Sequence, residues 1–157
     1  MPARVLVAGI GNLFLSDDGF GPEVVRRLCD DGPGLPAHVR AVDYGIRGMH
    51  LAYDLLEDYA TLVLVDAIPG TGPPGELTVL AVSEQDLGSG YFDPHGMAPV
   101  AVLANLRNLG GSLPTTFVVG VTPATVEDGI GLSEPVEAAV PRAMEAVRAL
   151  LAEKASV

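Results

Sequence analysis

The chain has 157 residues, 9 basic against 20 acidic for a formal net charge of -11, and is 48% hydrophobic, 18% charged and rich in Gly (19) and Pro (13). A domain of this length buries roughly 70% of the surface its unfolded chain exposes, so no staple is required. The single cysteine, Cys29, allows neither an internal disulfide nor a cysteine-built zinc site. The acidic field, relieved by no basic run longer than Arg26-Arg27, argues against nucleic acid as a partner and for a basic or metal-bearing one.

Residues 4–8 read as a buried strand on Val5, Leu6 and Val7, ended by Gly9. Gly9-Ile10-Gly11-Asn12 is a turn. A helix follows, with Ser16 or Asp17 as its N-cap and Pro22 in its first turns. Phe20, Val24 and Leu28 recur at four-residue spacing and share a face, and Asp30-Asp31-Gly32-Pro33-Gly34 ends the helix. Residues 39–42 form a second strand leading into Asp43-Tyr44-Gly45-Ile46-Arg47-Gly48. Residues 49–56 form a short helix with Leu51, Leu55 and Leu56 inward. Residues 61–65, Thr-Leu-Val-Leu-Val, are apolar throughout, which predicts a central strand ending at Asp66-Ala67.

A Gly/Pro loop over 69–75 precedes residues 76–82, where Leu77, Val79 and Ala81 alternate on one side as in an edge or antiparallel strand. Residues 83–96 read as a polar loop. Residues 99–109 read as a helix with Val102, Leu103 and Leu106 inward, 115–121 as a strand, and 122–132 as a loop. Ser133 is placed to cap a last helix whose apolar positions Val136, Val140, Ala143, Val147, Leu150 and Leu151 fit a 3.6 period. Pro141 inside it should kink it, at about 3 kcal/mol in an unrelieved helix interior. The order βαβαββαβα predicts one domain over residues 1–157, a three-layer α/β fold with a mostly parallel, twisted sheet of about five strands flanked by helices. The apolar runs are too short to span a bilayer, and the opening residues enter a strand pattern with no room for a signal peptide. A cytoplasmic monomer without a membrane partner is therefore expected.

In open α/β sheets ligands bind beyond the carboxyl ends of the parallel strands. The first strand runs out into residues 9–18, the second at Asp43 and the third at Asp66, and His95 precedes a helix that must start near the same edge. Topology thus gathers Asp18, Asp43, Asp66 and His95. Next to the helix dipole, one of Asp17 and Asp18 serves as a cap, leaving the other free to bind. A carboxylate ending an apolar strand, as Asp66 does, is costly to desolvate unless bonded or metal-bound. Two carboxylates and an imidazole would suit a borderline divalent ion such as nickel or zinc. Asp43 is a candidate base, set against a turn former before Gly45. His38 and His50 read as surface residues and Cys29 as a free cysteine near a helix end. Gly9-x-Gly11-Asn12 also invites a nucleotide-binding interpretation, against which stand the missing third glycine, the absent Walker lysine and the acids at the helix start.

The segment Val7-Ala8-Gly9-Ile10-Gly11-Asn12-Leu13-Phe14-Leu15-Ser16-Asp17-Asp18-Gly19-Phe20-Gly21 closely resembles the opening motif of the hydrogenase maturation endopeptidases. Asp43-Tyr44-Gly45-Ile46-Arg47-Gly48, Val65-Asp66-Ala67 and Gly129-Ile130-Gly131-Leu132-Ser133 also look like that family, so the resemblance spans nearly the whole chain. Where the family often reads Gly-Gly-Thr after the second strand, this chain has Tyr44-Gly45-Ile46. The resemblance implies an enzyme that clips a short carboxy-terminal extension from the nickel-loaded large-subunit precursor of a nickel-iron hydrogenase. It places metal contacts at Asp18, Asp66 and His95, catalysis at Asp18 and Asp66, and substrate contacts at Asp43, Gly45 and Gly48. The nickel would be carried by the precursor, with no organic cofactor. The metal would polarise the peptide carbonyl or activate a water, or else serve recognition while an Asp acts as base. The rival expectations are a non-catalytic, nickel-dependent maturation chaperone and a small nucleotide-binding α/β protein.

Overall fold

Apolar runs with no polar alternation need cover on both faces, and two such runs in this chain, residues 5–8 and 62–65, lie at the heart of the sheet. The structure is a computed structural model that describes residues 3–30, 34–68, 72–82, 106 and 109–155. Strands β1 (Val5–Ile10) and β3 (Thr61–Ala67) are buried at every position. With β2 (Val39–Gly45), β4 (Leu77–Val82) and β5 (Thr115–Val121) they form one five-stranded sheet in the order β2-β1-β3-β5-β4. The pairs β1–β2, β1–β3 and β3–β5 are parallel, and β4 joins β5 antiparallel at the edge. This is the expected fold class, a single α/β domain with a mostly parallel sheet.

The alternating side chains of the central strands divide the core in two. Val5, Val7, Val63 and Val65 pack against α1 (Phe20–Asp30) and α3 (Glu134–Ala155). Leu6, Ala8, Leu62 and Leu64 face the opposite side, with Leu51 and Ala52 of α2 (Gly48–Asp54), Leu55 just after it and Leu106. The predicted stripe of Phe20, Val24 and Leu28 is fully buried, as are Val136, Val140, Ala143 and Val147. Helix α3 continues through Pro141, which is exposed, as is Glu137 four residues earlier. The carbonyl that a proline leaves without a helical partner can there turn to water.

Two expectations need correction. Leu56 is exposed, because α2 stops at Asp54 and the chain turns before Leu56 comes round to the sheet. The edge or antiparallel strand expected over 76–82 is found as β4, with Val79 and Ala81 exposed and Leu77 on the same side packed against the core. At the sheet edge the helical layer covers only the start of that face, and the other face contributes Val82 instead. Finally, α1 is not capped by Ser16 or Asp17. A 3-10 turn, Ser16–Gly19, comes first and has no side-chain cap. The predicted loop over 83–96 lies outside the described residues, as does the predicted helix over 99–109 apart from residues 106 and 109.

Glycines set how closely this turn and α1 approach the sheet. A Cβ on Gly21 would lie 2.2 Å from the Val65 carbonyl oxygen and 2.6 Å from that of Ile10, and one on Gly9 would lie 2.6 Å from the Gly21 oxygen. The start of α1 therefore rests backbone to backbone on β1 and β3. Overpacking of a well-packed site typically costs 1–3 kcal/mol. Gly21→Ala is expected to destabilise the protein by about 2 kcal/mol or more, as read by urea denaturation, because every atom it would strike is backbone.

Candidate active site

The carboxyl ends of β1, β2 and β3 share one edge, and their loops are bonded to each other there. The Gly11 N–H donates to the Gly45 carbonyl at 3.0 Å, tying the loop after β1 to the end of β2. A bulge in β2 shifts the register from Gly9↔Asp43 to Ile10↔Gly45, leaving Tyr44 as the extra residue. Tyr44 is buried, and its hydroxyl donates to Asp54 Oδ2 at 2.5 Å. Asp43 is exposed and its Oδ1 accepts the Gly45 N–H at 2.9 Å, the turn-forming arrangement weighed above, with Gly45 at φ 56°. Gly48 opens α2.

The adjacent acids Asp17 and Asp18 have separate tasks. Asp17 is fully buried. Its Oδ2 accepts the N–H groups of Ala124 (2.8 Å) and Thr125 (3.1 Å) and the Ser133 hydroxyl (2.8 Å), while Oδ1 accepts the Ser133 N–H (2.7 Å). Burial opposes ionisation of this carboxyl, but the Ser133, Ala124 and Thr125 donors outweigh it and hold it below the usual carboxylate range. Ser133 stands at the entry to α3, where its carbonyl accepts the Glu137 N–H, and its hydroxyl goes to Asp17. Sequence reasoning left Asp17 as a local cap. The signal that could have found its partner was the Gly129–Ser133 motif, whose purpose is invisible until the two loops meet.

Asp18 is half-buried, and its Oδ2 accepts the Asn12 N–H at 2.8 Å. Asp66 is buried at the end of β3, on the α2 side of the sheet, and its Oδ1 accepts the N–H of Ala67 at 2.8 Å. Its carboxyl is pushed well above the usual range, first by burial and then by the nearby charge of Asp18. The fold thus brings Asp18 and Asp66 into electrostatic contact, as the topology argument expected. In each, one carboxylate oxygen is engaged by a backbone N–H of a described residue. A cation between them would relieve both the desolvation and the mutual repulsion, and oxygen donors suit a divalent ion. His95 lies outside the described residues. Among the described residues no group of three or more His, Cys, Asp or Glu could hold a metal ion.

The two glycines that suggested nucleotide binding serve the chain itself. A Cβ on Gly11, at φ 146°, would lie 1.8 Å from the Asp18 carbonyl oxygen. The space this glycine opens is filled by the turn that carries Asp17 and Asp18.

A mostly parallel α/β sheet with two neighbouring acids at its carboxyl edge defines a small α/β domain with a carboxylate site. Comparison narrows it. The family described as hydrogenase maturation protease matches residues 22–150. The chain is 35% identical over 153 residues to the hydrogenase 2 maturation protease of Escherichia coli, covering 96% of this chain and 92% of that one. It is 34% identical over 145 residues to a putative hydrogenase maturation protease of Methanocaldococcus jannaschii, covering 91% and 93%. The solved structure of the E. coli hydrogenase maturating endopeptidase superposes with a TM-score of 0.82 at 34% identity, covering 96% and 93%. The chain belongs to the hydrogenase maturation protease family and is an endopeptidase of hydrogenase maturation. No helix among the described residues is long and apolar enough to cross a membrane.

Asp17 and Asp66 should titrate stability in opposite senses. Asp17 ionises more readily folded than unfolded, so its contribution is present above the ordinary aspartate range and is lost as pH falls through its depressed value. Asp17→Asn sets an amide NH2 against a donor and is expected to cost about 3 kcal/mol at neutral pH in urea denaturation. For Asp66 the raised value means that stability is fully present below the ordinary aspartate range and is lost as pH rises through the folded value. Asp66→Asn, which keeps an acceptor for the Ala67 N–H, is expected to melt above the parent protein at neutral pH. The gap should close as the pH is lowered; no gain at neutral pH would contradict the buried-acid assignment.

Proposed function

We propose that this chain removes the carboxy-terminal extension of a nickel-loaded nickel-iron hydrogenase large-subunit precursor, holding the precursor's nickel between Asp18 and Asp66. One observation carries the proposal. Asp66 is a buried carboxyl whose ionisation is opposed by its surroundings and by Asp18, which is an unfavourable arrangement for the fold alone and a favourable one for capturing a divalent cation. Nickel accepts mixed oxygen and nitrogen ligands. His95 is the proposed third contact. Asp43, Gly45 and Gly48, on the neighbouring loop, are the proposed contacts of the precursor peptide.

Peptide hydrolysis requires a water to add to the scissile carbonyl, giving up a proton that ends on the leaving amine. Asp18 and Asp66 would hold the ion, which would polarise the carbonyl, and one of the two carboxylates would take the proton of the attacking water and pass it to the leaving amine. The acids therefore act as an aspartate-type site that becomes competent only when the precursor supplies its metal. The protein so proposed works as a monomer in the cytoplasm and needs no organic cofactor.

Asp66→Asn and Asp18→Asn are each expected to lower processing of a nickel-loaded precursor by about a hundred- to a thousandfold, the range seen when a charge-stabilising group is removed. Folding should be retained, with the shorter product followed by mass spectrometry. Normal processing by Asp66→Asn would defeat the proposal. Tight nickel-dependent binding by the parent protein, with no cleavage product, would instead identify a maturation chaperone.

A further inference from the structure

Several large apolar side chains are exposed on the edge that carries Asp18 and Asp66. Leu13 is 50% exposed, Phe14 69%, Val126 49% and Ile130 83%. Single exposed apolar residues are ordinary, but a cluster of them beside a polar site marks an interaction surface. These four are also mounted on a fastened backbone. Gly129 N–H donates to the Phe14 carbonyl and Ser16 N–H to the Gly129 carbonyl, both at 2.9 Å, so that Leu15 and Gly129 pair as a parallel bridge. The Ser16 hydroxyl donates to the Glu127 carbonyl at 2.9 Å, and the Asp17 N–H to that of Thr125 at 3.1 Å. Ser16 itself is held at φ 53°, a left-handed conformation that a serine keeps only where its surroundings impose it. The Asp17 carboxylate closes the same seam from below with four more bonds. A surface fixed in this way loses little entropy on docking.

Position and charge specify the partner. Leu13 Cδ2 lies 3.2 Å from where a Cβ on Gly19 would stand, so the apolar surface begins next to the residue that follows Asp18. Glu127 and Asp128 are exposed between Val126 and Ile130, and neither residues 9–21 nor 122–133 contain a Lys or Arg. We propose that Leu13, Phe14, Val126 and Ile130 form the docking surface for an extended segment of the precursor next to the cut, apolar in character and carrying a neighbouring Lys or Arg that meets Glu127 and Asp128. This rests on the processing activity proposed above. An extended segment is required because the scissile bond must descend to Asp66 at the strand end while its flanking residues cross the welded loops.

The test uses the full chain and the nickel-loaded large-subunit precursor from the same organism. The double variant Phe14→Ser/Ile130→Ser is expected to raise KM about tenfold or more while kcat at saturation falls less than about threefold. Its thermal midpoint should match the parent's, since both side chains are exposed; should it unfold, Ile130→Ser alone carries the same expectation. Glu127→Gln/Asp128→Asn is expected to raise KM at low salt and to flatten the rise of KM with salt. An unchanged KM in the apolar variant, or a loss confined to kcat, overturns the proposal, and an unchanged salt response overturns the basic character of the segment. If the parent protein cleaves nothing, the processing activity itself fails. Retention of the precursor on immobilised protein then decides, with loss in the apolar variant supporting the surface and equal retention overturning it. A parent dimer by light scattering that the apolar variant disperses would assign the surface to a second copy and overturn the proposal.

Discussion

The Asp17 carboxylate ties together parts of the chain more than a hundred residues apart. Its two oxygens accept four donors from Ala124, Thr125 and Ser133, which lie in the loop after β5 and at the entry to α3. A buried, ionised carboxylate is expensive unless it is fully bonded, so these donors and this acid need each other. Asp17 and Asp18 are neighbours in one 3-10 turn, so fastening the first settles where the second can stand. The same seam carries the exposed apolar residues of both loops. The acid pair and the surface beside it thus share one support.

Close approach is the second constraint. Gly9, Gly11 and Gly21 let the turn and the start of α1 lie against the ends of β1 and β3, where a Cβ at any of them would strike backbone. That proximity is what sets Asp18 against Asp66. The arrangement burdens the fold, because Asp66 is buried, has one backbone donor in Ala67 and feels a like charge. Groups shifted in this way concentrate at functional sites. A cation converts the repulsion into a shared attraction, so the binding energy of the metal is drawn partly from the release of that burden. Under the proposed function, such a site would discriminate a metal-loaded partner from an empty one.

Much of the fold was legible because local pattern and global burial agreed. The residues Thr-Leu-Val-Leu-Val at 61–65 could only be a strand covered on both faces, and they lie in the middle of the sheet. Phe20, Val24 and Leu28 repeat with the helical period and are fully buried. The pattern misled where cover ran out: Leu56 looks inward by spacing, yet it lies beyond the end of α2 and is exposed. Hydrophobic periodicity tells which way a side chain points within its element but not whether another element is there to receive it.

The sequence by itself determined the fold class and brought Asp18 and Asp66 to one edge of the sheet, because strand order, strand-end residues and glycine turns are local properties. It also carried the family likeness in the stretch from Val7 to Gly21. Only the tertiary structure decided the division of labour between Asp17 and Asp18. Their hydrogen-bond partners are distant in sequence, and two adjacent carboxylates look alike until one of them meets its donors. The same holds for Asp66, whose burial and nearness to Asp18 are facts of packing. Its chemistry comes from surroundings that β1, α1 and the opening turn build together.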